Sequence, residues 1–211
     1  RKNRFLNHLL ARFAEQFTDY SLFLFEAMPK GLDPAEKMIQ DKQAFLKHYP
    51  AVSSARGTAF NYLQPWSREN VSGLEKRIRL KLGLMESRGE TFYLVEHILL
   101  RPMEEDLQQQ LPILMHANSK DPYSLQLSFI FPKDWDARLP RPDLAGMTDP
   151  EKLGVEEASK TKKARFRQFV EQTVREETPA HLTPHIHWLT AAAMTEFEKV
   201  YKSWIAKRRS H

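Results

Sequence analysis

A chain of 211 residues is long enough to bury a hydrophobic core without disulfides or metal ions. Apolar residues make up 41% of the sequence and charged residues 28%, which is typical of folded domains and excludes general disorder. The sequence has no cysteine, so a disulfide framework and thiolate chemistry are excluded. The apolar runs are too short to cross a bilayer, and we expect no transmembrane segment.

The N-terminal region is predicted to form a long amphipathic helix. Its apolar residues follow the i, i+3, i+4 spacing of one helix face, which continues through Leu6, Leu9, Leu10, Phe13 and Phe17. We expect the helix to end near Pro29, where a proline and a glycine stand close together. The stripe indicates packing against other helices of the same or another chain.

Two further helices are predicted from their end signals. Asp33 is a helix cap followed by a first-turn proline, and it predicts a helix from Ala35 to about Tyr49 that Pro50 ends. Ser72, followed three residues later by Glu75, has the pattern of a capping box and predicts a third, short helix.

The apolar period changes to two after residue 89, which indicates strands. The run from Phe92 to Leu100 is apolar on both faces and predicts a central strand. Leu125 to Phe131 alternates, with Leu125 facing inward, and predicts a half-buried strand antiparallel to the first. His181 to Leu189 predicts a third strand, placed at an edge by its flanking prolines, with Ile186 and Trp188 on the core side.

Helices from about Lys162 to Glu177 and from Ala191 to Lys207 complete the prediction. The fold class is therefore α+β: an N-terminal helical segment followed by a small, mostly antiparallel sheet with packed helices in the order β-β-α-β-α. We divide the chain into a helical, bundle-forming segment, 1–84, and an α+β docking domain, 89–211. Because the sequence starts at Arg1 without a methionine, we take it to be a fragment of a longer chain.

Three closely spaced histidines suggest a metal site. His185 and His187 share a strand face. With His181 and either Glu177 or Asp121 they would form the active site of a small metal-dependent hydrolase. Such a site needs further ligands placed by the fold, whereas the neighbouring prolines indicate an ordinary edge strand. We therefore expect no metal and no cofactor.

The sequence carries no recognisable catalytic motif. It lacks a glycine-rich phosphate loop, a nucleophile elbow and a zinc-binding helix motif. Glu96 and His97 are the polar pair in the first predicted strand, but neighbouring strand residues point to opposite faces and cannot act on one substrate together. We expect no catalytic residues, no small-molecule substrate and no enzymatic activity.

The net charge of +5 raises the alternative of a nucleic-acid-binding adaptor. Its basic residues would be those of Lys160 to Arg167 and Lys207 to Arg209. Elsewhere the basic residues alternate with acidic ones, which is typical of a solvated surface. We therefore expect no nucleic-acid partner.

Several phrases together resemble a region of large baseplate-associated proteins of contractile, phage-tail-like injection systems. The phrases span nearly the whole chain and are Phe5 to Tyr20, Asn70 to Ile78, Val95 to Pro102, Asp121 to Ser124 and Glu177 to His181. The resemblance implies a wedge-like structural subunit that joins the tail hub to the sheath.

The resemblance also implies the partners. They are other baseplate subunits, and sheath or hub proteins, in a multi-copy hetero-oligomer that assembles in the bacterial cytoplasm as part of a phage-tail-like particle. No catalytic residue carries over. The candidate interface residues are apolar ones from the first helix and the third strand, namely Leu9, Leu10, Phe13, Phe17, Ile186 and Trp188.

Overall fold

The fold is described from a computed structural model, for residues 1–15, 33–64, 67, 69–82, 92–101, 121–133, 135 and 148–209. The helices in these residues are α1 (Lys2–Ala11), α2 (Pro34–Ser54), α3 (Gly73–Lys81), α4 (Asp149–Glu177) and α5 (Ala191–Arg209). The strands are β1 (Tyr93–Glu96), β2 (Gln126–Pro132) and β3 (Thr183–Leu189), and a 3-10 helix, His97–Leu100, follows β1. The predicted α+β class and the order β-β-α-β-α are confirmed.

The chain divides into two units. The first comprises Arg1–Asn61, Arg68–Glu86 and Trp135–Thr173, and the second comprises Tyr62–Ser67, Ser87–Asp134 and Val174–His211. The first unit thus includes the predicted helical segment, 1–84, apart from residues 62–67. It also takes in residues 135–173 from the predicted docking domain, 89–211.

In the first unit, α1 is shorter than the sequence predicts. It ends at Ala11, and Ala14 three residues later has a positive φ of 57°. A left-handed residue is a common way to end a helix, because it turns the chain out of the helical path. The Glu15 amide then donates back to the Leu10 carbonyl at 3.0 Å. The predicted end near Pro29 lies outside the described residues.

The predicted start of α2 is confirmed, and its predicted end is wrong. The Oδ1 atom of Asp33 accepts a hydrogen bond from the Ala35 amide at 2.9 Å, as expected of a cap. The helix then continues through Pro50 to Ser54. A proline removes its own amide from the helix, and its ring crowds the carbonyl four residues earlier. Here buried Val52 anchors the extra turn in the core.

The start of α3 depends on a glycine. Ser72 caps the helix by accepting from the Glu75 amide at 3.2 Å, as predicted. The Gly73 amide donates to the Thr58 carbonyl at 2.7 Å. A Cβ atom at Gly73 would lie 1.9 Å from the Ala55 carbonyl oxygen, so no other residue fits without a backbone shift.

One hydrophobic cluster holds the first unit together. Its buried members come from α1, α2 and α3, and its partly buried members include one residue of α4. They are Leu10, Phe45, Val52 and Leu80, packed with Met38, Leu46, Tyr49 and Phe169. Phe169 explains why the first part of α4 belongs to this unit.

The sheet of the second unit is mixed and has the order β1-β2-β3. β1 and β2 pair antiparallel, as predicted, whereas β2 and β3 pair parallel. A parallel pair needs a long crossover between its strands, and the segment between β2 and β3 contains α4. The antiparallel prediction therefore applies to one of the two strand pairs.

The prediction that β1 is the central strand is wrong. β1 is buried on both faces, as its sequence indicates, but it lies at an edge of the sheet and β2 is central. It also stops at Glu96, because the next four residues form the 3-10 helix. An apolar run predicts burial, but it does not say whether strands or helices provide the cover.

Aromatic residues fill both sides of this sheet. On one face, the Phe131 ring lies 4.9 Å from Phe92 and 5.1 Å from Trp188, centroid to centroid. On the other face, Tyr93 packs at 5.2 Å from Tyr201 of α5, and its hydroxyl donates to Glu198 at 3.0 Å. The two sides are therefore covered differently, and α5 belongs to the Tyr93 side.

Candidate functional site on the sheet

The register of the sheet brings polar side chains together on the face that α5 partly covers. Ser128 of β2 pairs with Val95 of β1 and with His185 of β3. The Nε2 atom of His97 lies 2.7 Å from the Ser128 hydroxyl oxygen, and that of His187 lies 3.3 Å from the same atom. The Ser128 hydroxyl therefore lies between two imidazoles.

A third imidazole completes this polar face. His185 is stacked on His97, with ring centroids 5.3 Å apart and planes 12° apart. Its Nε2 atom lies 2.9 Å from Oε1 of Gln126, which precedes Ser128 by two residues of β2. His97 is buried, His185 is half-buried and His187 is exposed, so the cluster extends from the interior to the surface.

The contact between Ser128 and His97 has the geometry by which an imidazole activates a hydroxyl. In a serine hydrolase a carboxylate also orients the histidine. Glu96 does not have that position, because it pairs with Leu127 and lies on the opposite face, where burial raises the pKa of its carboxyl. Glu96 and His97 thus point to opposite sides, as expected, although His97 is the first residue of the 3-10 helix and not part of β1.

The histidines of the metal-site alternative do not converge with carboxylates. Asp121 accepts from the Tyr123 and Ser124 amides at 3.0 and 3.1 Å and pairs with Arg101 at 3.0 Å. Hydrogen bonds from Ser124 and these amides hold the pKa of Asp121 well below its ordinary value. Within the described residues, no group of three or more His, Cys, Asp or Glu side chains is placed to hold a metal ion.

The outer edge of β3 has no strand partner among the described residues. The Thr183 amide donates to the Leu125 carbonyl of the β2 side at 2.8 Å. Alternate residues of a parallel strand bond to the same neighbour, so the backbone groups of Pro184, Ile186 and Trp188 point away from β2. The edge therefore presents the backbone donor and acceptor of Ile186, which is half-buried.

Leu125, directly before β2, is both strained and exposed. Its φ is 57°, a conformation that costs a leucine about 1–2 kcal/mol, and its side chain is 59% exposed. The sequence predicts it to face inward as the first residue of the second strand, which is wrong because β2 begins at Gln126. Strained residues cluster at functional sites, so Leu125 indicates a binding surface.

The candidate interface residues near the N-terminus are in different environments. Leu10 is 1% exposed and belongs to the core of the first unit, and Leu9 is half-buried. Phe13 lies just beyond α1, 47% exposed, with its ring 4.6 Å from that of Tyr49. Phe17 is outside the described residues. Contact of these residues with another chain stays a prediction.

The first unit also buries charged groups that the sequence does not reveal. The Lys42 ammonium donates to the side-chain oxygens of Asn3 and Asn7 at 2.7 and 2.6 Å, and burial lowers the pKa of Lys42. Glu75 pairs with Arg79 at 2.7 Å. Burial raises the pKa of Glu75 to about 7, because desolvation outweighs the attraction of Arg79.

Comparisons with known proteins do not identify the chain. No protein-family model matches it, and no curated protein matches it. Among the described residues, no helix is both long enough and apolar enough to cross a membrane.

Proposed function

We propose that this chain is a non-enzymatic assembly module, a wedge-like structural component of the baseplate of a contractile, phage-tail-like injection system. It joins the tail hub to the sheath through contacts with other baseplate subunits, in a particle that assembles in the bacterial cytoplasm. The observation that carries the proposal is the outer edge of β3, which has no strand partner among the described residues.

A free strand edge is a template for pairing with another chain. The backbone groups of Ile186 offer a short ladder, while the missing amide of Pro184 limits its length and disfavours uncontrolled addition. Leu125 lies on the other side of β3, since its carbonyl accepts from the Thr183 amide that faces β2. An added strand would cover the ladder, and the exposed leucine offers a separate apolar contact.

The phrases that resemble baseplate proteins contain many of the caps and turns of the fold. Asn70 donates to the Asn61 carbonyl at 2.8 Å, and Asp121 closes the turn before β2. Thr178 caps the end of α4 by donating to the Val174 carbonyl at 2.7 Å. Such residues specify architecture, which supports a structural role.

The first test replaces Leu125 by glycine. A glycine adopts a positive φ without strain, so Leu125→Gly should leave the fold as stable or more stable while it removes the apolar contact. We expect the variant to lose most of its incorporation into particles, measured by co-sedimentation with the other baseplate subunits. The control is Val200→Ala on α5, which trims an apolar residue that is also exposed, at 58%.

The second test blocks the edge. Ile186→Pro removes a donor that points away from β2 and should preserve the sheet, whereas His185→Pro removes a ladder donor and should unfold it. Assembly lost in a folded Ile186→Pro chain supports the proposal. Two results would refute the proposal. One is that the Leu125→Gly chain and the Ile186→Pro chain each assemble into normal particles. The other is that the wild-type chain is not incorporated into particles.

A second candidate is ester or amide hydrolysis by Ser128 with His97 as its base, favoured by their 2.7 Å contact. Ser128→Ala would then abolish turnover of a p-nitrophenyl ester, while His187→Gln, at the longer 3.3 Å contact, would reduce it less. Turnover that is at background level in the wild type, or equal in Ser128→Ala, would exclude this candidate.

A further inference from the structure

The first half of α4 is a helix without buried side chains. From 149 to 165 every residue is exposed except three that are half-buried, Lys152, Val155 and Ser159. Leu153 is 59% exposed. A helix solvated all round gains little from packing, so it depends on local ion pairs or on a partner.

Charge is separated along this half of α4. Residues 149–157 hold four carboxylates and one lysine, whereas residues 160–167 hold five cations and no carboxylate. Acids near a helix N-terminus suit the helix dipole, and Glu151 also accepts from the Thr148 amide at 2.8 Å. The dipole does not account for the cations, because they lie in the middle of a helix that continues to Glu177.

Four exposed residues of this half form one seam. Leu153, Glu157, Lys160 and Ala164 follow one another at spacings of four, three and four residues, which place them on one helix face. This is the spacing of a coiled-coil seam. When a second copy of the seam runs in the opposite direction, its small residue lies opposite the leucine and its base lies opposite the acid. The seam is therefore complementary to itself.

We propose that residues 149–167 of α4 dock antiparallel against the same residues of a second copy of this chain. In this register Leu153 faces Ala164 of the second copy and Glu157 faces its Lys160. A two-fold axis repeats both contacts, as in an isologous dimer. Central charged pairs in such a seam fix the register and the direction of the helices.

A nucleic acid fits this face less well than a second copy does. A phosphate backbone that follows the cations of residues 160–167 would meet the carboxylates of Glu156 and Glu157 one turn away. The contact between two copies is small compared with a standard interface, so it forms when copies are concentrated. The inference does not depend on the baseplate proposal, since any assembly with neighbouring copies would meet that condition.

Cysteine cross-linking tests the register, because the chain has no cysteine of its own. We expect an equimolar mixture of Leu153→Cys and Ala164→Cys full-length chains to form a disulfide-linked heterodimer under mild oxidation. Neither variant should link to itself, because the rise of an α-helix places like positions about 16 Å apart in the antiparallel register. Self-linking of Leu153→Cys as strong as that of the mixture would overturn the proposal.

Charge exchange tests the pairing, measured by sedimentation equilibrium of the full chain in low salt. Glu157→Lys and Lys160→Glu should each weaken self-association at least tenfold, and the double exchange should restore it. Both sites are on exposed helix surface, and circular dichroism checks that helix content is kept. The mixture of the two single variants should associate more strongly than either alone.

Three results would overturn the inference. One is a wild-type chain that stays monomeric at millimolar concentration in low salt. Another is a double exchange that associates no better than the single variants. The third is a Lys160→Glu chain that self-associates as the wild type does but has lost a salt-dependent retention on DNA that the wild type shows. That result would assign the cations to nucleic-acid binding.

Discussion

The buried carboxyl of Glu75 should make the stability of the first unit depend on pH. Its pKa is about 7 in the folded chain, against 4.5 for an ordinary glutamate. Between these values the folded chain holds a proton that the unfolded chain has lost. The unfolding free energy therefore falls as pH rises from 4.5 to about 7, and the full loss is reached above pH 7.

The size of the effect follows from the shift. Raising the pKa from 4.5 to about 7 corresponds to about 3 kcal/mol of lost unfolding free energy above pH 7, and to none below pH 4.5. Glu75→Gln is neutral at every pH and removes this term. The unfolding free energy of the wild type relative to the variant should thus decrease by about 3 kcal/mol between pH 4.5 and 8.

Urea unfolding at several pH values, followed by circular dichroism, measures this difference. Other titrating groups are present in both proteins and cancel. Glu36→Gln, at an exposed position in the first turn of α2, is the matched control for the replacement of a glutamate by glutamine. A difference between wild type and Glu75→Gln that stays flat, or that grows in favour of the wild type as pH rises, would refute the reasoning.

Three further predictions test the core, the glycines and the histidines. Leu10→Ala should lower the unfolding free energy, measured by urea unfolding, by about 2–5 kcal/mol because Leu10 is 1% exposed. Phe5→Ala, at a position 62% exposed on the same helix, should change it by about 0.5 kcal/mol at most. Gly73→Ala should destabilise the chain, because the added Cβ would lie 1.9 Å from the Ala55 carbonyl oxygen. Gly154→Ala, whose Cβ would have no atom within 4 Å, should raise the unfolding free energy by about 0.5–1 kcal/mol. Similar melting temperatures for the two variants would contradict this prediction. The double variant His185→Gln with His187→Gln should keep its fold and its partner binding, and a stoichiometric metal found by elemental analysis in the wild type but not in this variant would overturn the structural interpretation.

Local signals predicted the starts of α2 and α3 well, whereas the start predicted at about Lys162 is wrong, because α4 begins at Asp149. The caps at Asp33 and Ser72 involve atoms within three residues of one another, so the sequence contains the whole interaction. Pro50 misled the prediction because the helix end is decided by the burial of Val52 in a core that distant residues build. The early end of α1 depends on Ala14, a residue with no turn signature in the sequence.

The candidate site was less predictable, because it depends on strand register. Ser128 meets His97 and His187 only after β2 has paired with β1 on one side and with β3 on the other. No spacing in the sequence links residues that are 31 and 59 positions apart. The prolines of β3 did indicate an edge strand, since a missing amide restricts pairing wherever the strand lies.

The first unit is built from separate stretches of the chain. Its apolar residues are therefore buried completely only when the last of these stretches has been synthesised. Phe169 packs on the cluster around Leu10, so the core of α1, α2 and α3 stays incomplete until Phe169 has left the ribosome. During that delay apolar side chains such as Phe45 are open to wrong contacts. Chaperones should accordingly bind the first unit in a nascent chain stopped before α4, and they should no longer bind that unit once residue 173 has emerged.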